Sequence, residues 1–166
     1  MKKVIISGIQ QVGVGIPDVY AAWKWFRQHF GMDIPVFEEA AEANLMLPYT
    51  NGKPWKRHAI LAANLQGGGG MEIWQYTGRT PQPPAFEVQV GDLGIYTARI
   101  KARNIEAAFA FMKGKQADIP ADLCKDPAGN AYFWVMDRYQ NLFQVVTNES
   151  WFANTRAVTG GVSGCM

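Results

Sequence analysis

Residues 11–31 read QVGVGIPDVYAAWKWFRQHFG, and residues 97–114 read TARIKARNIEAAFAFMKG. In the first stretch Val12, Val14 and Ile16 alternate with Gln11, Gly13 and Gly15, the period-two pattern of a strand with one covered face. Asp18 follows as a helix cap. Val19, Ala22, Trp23, Phe26 and Phe30 then recur at helical spacing, and Gly31 stands where the helix has to stop. The second stretch repeats the plan: Ala98, Ile100 and Ala102 share one strand face, Thr97, Arg99 and Lys101 the other, and Asn104 caps a helix carrying Ile105, Ala108, Phe109 and Met112. A single shift lays Gln11 on Thr97, Val14 on Ile100, Asp18 on Asn104, Ala22 on Ala108 and Trp23 on Phe109. Strand, cap and apolar stripe superimpose together, which predicts an internal duplication.

Further strand signals follow each helix. In the first half IPVFE is a short candidate, and RHAILAANL and MEIWQY flank LQGGGG as a hairpin. In the second half AYFWVM and LFQVV flank DRYQN, after a turn at DPAGN. Each half is therefore β-α-β-β-β, and the chain is expected to be one α+β domain. Module one spans about 9–77, a proline-rich linker about 78–92, module two about 93–148 and a tail 149–166. EEAAEANLMLPYTNGKPW, between the second and third strands, is expected to be a helical turn followed by a loop. The glycine run Gly67 to Gly70 joins two strands and lacks the Lys-Ser/Thr helix start of a phosphate cradle, so it reads as a hairpin loop.

A chain of 166 residues that is 48% hydrophobic can bury one core. Sixteen basic against fourteen acidic residues leave a net charge of +2 with no basic run, which argues against a nucleic-acid partner. The opening MKKVIISGIQQVGVGIP imitates a secretory signal, but Gln10 and Gln11 interrupt it and no small-residue cleavage site follows. No run of about 18 apolar residues occurs, so no membrane span is expected. Cys124 and Cys165 stand alone, which suits a reducing cytoplasm better than a disulfide framework.

A duplicated β-α-β-β-β unit whose first helix follows D-x-x-x-A-x-x-[FWY]-[FY]-x-x-x-[FL]-G resembles the vicinal oxygen chelate superfamily, that of glyoxalase, bleomycin-resistance proteins and extradiol dioxygenases. Asp18, Ala22, Trp25, Phe26, Phe30 and Gly31 carry the helix pattern. Asp137-Arg138-Tyr139-Gln140-Asn141 stands where that superfamily has D-P-D-G-N and keeps the first and last letters. The resemblance implies two curled sheets forming a cup, helices outside, and a small molecule bound inside. It also implies a metal held by the first and last strand of each unit. Those positions fall on Gln11 and Glu72 in module one and on Thr97 and Gln144 in module two.

Gln11 and Glu72 look like a preserved half-site, whereas Thr97 and Gln144 depart from the imidazole and carboxylate donors that transition metals need. No tightly bound metal or other cofactor is expected, and at most a weakly held hard divalent cation. Arg99 and Lys101 share the Thr97 face. They could pair with Glu72, receive an anionic ligand, or reach to the rim as solvated charges. His58 opens RHAILAANL and suits proton transfer if it faces the cup; otherwise it packs. His29 reads as a packing residue. Trp74, Tyr76, Tyr132 and Trp134 are candidates to line the cup or simply to pack.

Two functions of different class follow. The first is a binding module that holds a small, partly apolar and anionic molecule through Gln11, Trp74, Thr97, Arg99, Lys101 and Gln144. The alternative is a metal-assisted glyoxalase-like lyase or isomerase with Glu72 as general base and His58 as proton carrier. A homodimer or a tandem neighbouring domain is the macromolecular partner to expect. The tail bears on this: GGVSGCM sets Gly161 on Gly8, Val162 on Ile9 and Cys165 on Val12. It reads either as the first strand of a further unit or as a tail that pairs with a neighbouring chain.

Overall fold

Alternation decides which face of each strand is covered, and the computed structural model, which describes residues 9–147 and the backbone of 162–165, realises it in both halves. Module one runs β1 (Gln11–Gly15), α1 (Val19–Phe30), β2 (Ile34–Glu42), a 3-10 turn (Asn44–Tyr49), β3 (Lys56–Ala63) and β4 (Gly70–Tyr76). Module two runs β5 (Thr97–Ala102), α2 (Ile105–Gly114), β6 (Cys124–Lys125), β7 (Ala131–Met136) and β8 (Leu142–Val146), and β9 (Val162–Cys165) lies in the tail. The first sheet has the order β1-β4-β3-β2 and the second β6-β7-β8-β5-β9. In each, the first strand lies parallel to the fourth and the other module strands are antiparallel. The duplication read from residues 11–31 and 97–114 is thus a duplication of topology.

The helices begin and end where their caps dictate. The Asp18 carboxylate accepts from the Tyr20 and Ala21 backbone amides at 3.1 and 3.0 Å, and Asn104 accepts from Ala107 at 2.8 Å. Gly31 ends α1 in the left-handed region at φ 60°, where a side chain is disfavoured. From α1, Phe26 and Phe30 are fully buried beneath the first sheet's Met71 and Ile73, and the same core continues into Ile100, Phe133, Phe143 and Val145 of the second sheet. Phe143 is the meeting point, its ring centroid 6.0 Å from Trp25, 5.6 Å from Phe26 and 5.2 Å from Phe30. Residues 82–95 of the connector are exposed throughout, so the core rather than the connector unites the modules.

One expectation changes. EEAAE is strand, not helical turn: β2 continues to Glu42 because Glu38 to Glu42 pair with Lys56 to Ile60 across β3, and sheet pairing overrides a local helical preference. The short 3-10 turn comes only afterwards. In the tail, β9 pairs antiparallel with β5 of its own chain, Ile100 opposite Cys165 and Ala102 opposite Val162. The expected packing of Trp151 and Phe152 lies outside the described residues.

DPAGN and DRYQN are the same loop built twice. Asp126 accepts from the Asn130 amide at 2.8 Å and from its side chain at 3.0 Å; Asp137 does the same with Asn141 at 2.9 and 2.7 Å. The fourth residue has positive φ in both, 87° at Gly129 and 67° at Gln140. Glycine accepts this conformation freely, whereas glutamine pays about 1–2 kcal/mol for it. Gln140→Gly is therefore expected to stabilise the fold by up to about 1 kcal/mol, measured as a higher urea midpoint at unchanged slope. Phe143→Ala is expected to destabilise by about 3–5 kcal/mol in the same measurement. A loss under 1 kcal/mol would mean that the aromatic junction is not what joins the sheets.

Candidate functional site

The faces turned away from the core carry the polar and half-buried aromatic side chains. On the first sheet Gly13 opposes Glu72, Leu61 opposes Glu72 from the other side, Ala59 opposes Trp74 and Arg57 opposes Tyr76. Opposed residues share a face, so Gln11, Arg57, Glu72, Trp74 and Tyr76 form one open surface. Gln11 Nε2 donates to Glu72 Oε2 at 2.5 Å. The Arg57 guanidinium lies 4.8 Å from the Trp74 ring centroid and pairs with the Glu39 carboxylate.

On the second sheet the open face carries Thr97, Arg99 and Lys101 of β5, Gln144 and Val146 of β8, and Tyr132 and Trp134 of β7, since Arg99 opposes Gln144, Gln144 opposes Trp134, and Val146 opposes Tyr132. The Thr97 hydroxyl donates to the Leu142 carbonyl at 2.8 Å. Lys101 is only 5% exposed, and burial pushes its ammonium pKa down. Arg99 is exposed and makes no hydrogen bond or ion pair among the described residues. It lines a small open cleft of about 70 Å³ with Gln144, Tyr132, Val146, Thr147 and the Asp126–Asn130 turn. The Thr147 hydroxyl is buried there without a hydrogen-bond partner.

The structure thus brings Gln11 to Glu72 and Arg99 to Gln144, but it joins neither Arg99 nor Gln144 to Glu72 by any hydrogen bond or ion pair among the described residues. His58 is not brought to this surface. It opposes Gln75, not Glu72, and an odd step along a strand turns a side chain to the other face. There His58 Nε2 lies 3.3 Å from Glu38 Oε1, and Glu38 accepts from the Tyr20 hydroxyl at 2.5 Å. That hydrogen bond raises the Tyr20 pKa, because ionising the phenol would bring two negative charges together. His29 packs against Trp25 with ring centroids 4.4 Å apart. Sequence reasoning passed over Arg57, one residue from His58, because the β3–β4 register that assigns their faces is a tertiary fact. It also passed over Asp126 and Asn130, which read as a turn and nothing more.

No family model matches this sequence, and no curated protein matches it. Solved structures do. A glyoxalase family protein from Bacillus cereus superimposes with a TM-score of 0.65 at 11% identity, covering 89% of this chain and 97% of that one. A glyoxalase family protein from Enterococcus faecalis gives 0.58 at 15% identity, over 84% and 96%. A member of the glyoxalase/bleomycin resistance protein/dioxygenase superfamily from Sphaerobacter thermophilus gives 0.55 at 13% identity, over 87% and 100%. The chain has the vicinal oxygen chelate fold. At these identities the likeness is one of fold and transfers no activity.

The metal implied by the resemblance can be tested against the donors present. Gln11 already donates to Glu72, the Thr97 hydroxyl is committed to a backbone carbonyl, and Gln144 is neutral. Glu72 is the one charged group of the four. Among the described residues, nowhere do three His, Cys, Asp or Glu side chains gather as metal ligands do. This donor set does not fit a zinc, nickel or iron centre, which relies on imidazole, thiolate and carboxylate ligands. Elemental analysis of gently purified protein is therefore expected to find well under one equivalent of these metals per chain. One equivalent lost on Glu72→Ala would contradict that.

Proposed function

We propose that this protein binds a small, partly apolar acid in the cleft on the open face of its second sheet, without a resident transition metal. Arg99 carries the reading: it is a permanently charged, solvent-reached cation with no partner among the described residues, in a cleft with the Gln144 amide, the Tyr132 ring and the Val146 side chain. Apolar walls with a few converging polar groups are what a small-molecule site needs. Arginine suits a carboxylate because its planar fork can donate two parallel hydrogen bonds. The first sheet has less to offer an acid, since its cation Arg57 is already stacked on Trp74 and paired with Glu39.

A second reading, a lyase or isomerase, is favoured by one observation: Gln11 orients the Glu72 carboxylate at 2.5 Å, as a general base has to be oriented. Such chemistry also needs a positive or hydrogen-bonding group where the oxyanion develops. The side chain that holds Glu72 is the neutral Gln11 amide, and binding is therefore the preferred function.

Thermal-shift titration with a panel of small aromatic carboxylates and aromatic amino acids tests the choice. Stabilisation should grow with ligand concentration as linkage requires. Arg99→Ala should weaken binding at least tenfold, and Glu72→Ala should leave it unchanged. Binding indifferent to both Arg99→Ala and Gln144→Ala would place the site elsewhere. Binding abolished by Glu72→Ala, together with solvent deuterium exchange at a ligand carbon, would establish the enzyme reading instead.

A further inference from the structure

The cleft is lined by two fixed charges of opposite sign, Arg99 and Asp126, and the remaining lining is neutral: Asn130, Gln144, Tyr132, Thr147, Ala131 and Val146. The two do not form an ion pair with each other. Arg99 projects from β5, whereas Asp126 opens the β6–β7 turn, with β8 and β7 lying between. Three strand spacings separate β5 from β6, about 14 Å, and the arginine side chain closes that distance only in part.

Asp126 has a twin that isolates what is special about it. Asp137 braces its own loop with the same pair of hydrogen bonds to Asn141, and it is buried at 4% exposure. Asp126 braces its loop in the same way but is only half-buried and lines the cleft. The Asn130 hydrogen bonds hold its carboxyl below the usual carboxylate range, so it stays charged at neutral pH. The buried Thr147 hydroxyl, unpartnered in the same cleft, is a further polar group that a ligand would satisfy.

We propose that the ligand is a zwitterion of the amino-acid type: Arg99 takes its acid, Asp126 its ammonium group, and the Tyr132 and Val146 side its apolar part. This rests on the cleft being the ligand site. A pure acid meets the Asp126 carboxylate and a pure amine meets Arg99, so each is rejected by the charge that the zwitterion satisfies. That is selectivity by difference.

Calorimetric titration of the full chain with L-phenylalanine, 3-phenylpropanoate and 2-phenylethylamine separates the cases without any mutation. Phenylalanine is expected to bind at least tenfold tighter than either analogue. Asp126→Asn should abolish its advantage over 3-phenylpropanoate, and Arg99→Ala its advantage over 2-phenylethylamine. If 3-phenylpropanoate binds the unmutated protein as tightly as phenylalanine and is weakened by Arg99→Ala, the zwitterion inference is overturned while the cleft remains an acid site. If 2-phenylethylamine binds as tightly as phenylalanine, the inference is likewise overturned. If no probe binds, or Arg99→Ala and Asp126→Asn change nothing, the cleft reading falls and the inference with it.

Discussion

The aromatic junction at Phe143 is the contact on which the rest of the molecule depends. Helix α1 belongs to the first module, yet Trp25, Phe26 and Phe30 all meet a side chain of the second module's last strand. Without that contact the modules would be two small sheets, each with a single helix to cover it and a correspondingly marginal core. With it, one continuous core runs from Met71 and Ile73 to Phe133 and Val145. The Tyr139 hydroxyl, 3.4 Å from the Asp18 carbonyl, adds a polar contact at the start of the same helix.

Once one face of each strand is committed to that core, period-two alternation sends every other side chain to the open face. This is why Gln11, Glu72, Arg99 and Gln144 are available for chemistry at all. The alternation is indifferent to what it exposes. It presents a self-satisfied Gln11–Glu72 pair on one sheet and an arginine with an amide neighbour on the other. At the positions to which the resemblance assigns a metal, the side chains have other tasks. Thr97 shows how: a hydroxyl bonded to the Leu142 carbonyl braces a strand pair and has no strong donor to offer a metal.

The twin Asp–Asn loops show the same economy at smaller scale. Asp126 and Asp137 close two turns with the same hydrogen bonds, and local sequence is enough to build both. Their surroundings differ, since one carboxylate is sealed into the domain and the other opens on the cleft beside Tyr132. The same side chain is structural in one place and is proposed as a recognition group in the other because burial, not identity, sets what remains available to a ligand.

By itself the sequence determined the duplication, the two capped helices, the strands around both hairpins and the covered face of β1 and β5. These are local properties, set by spacing, caps and turn residues within a few positions. It also determined that no histidine stands at the four positions to which the resemblance assigns a metal, Gln11, Glu72, Thr97 and Gln144. Only the tertiary structure decided the rest. Pairing with β3 made EEAAE a strand, and the β3–β4 register turned His58 away and brought Arg57 round. The side-by-side placement of β5, β8 and β7 gathered Arg99, Gln144, Tyr132 and Asp126 around one cleft. Register and strand order are relations between segments far apart in the chain. A one-residue slip in either would exchange the two faces, so single-stretch patterns cannot supply them.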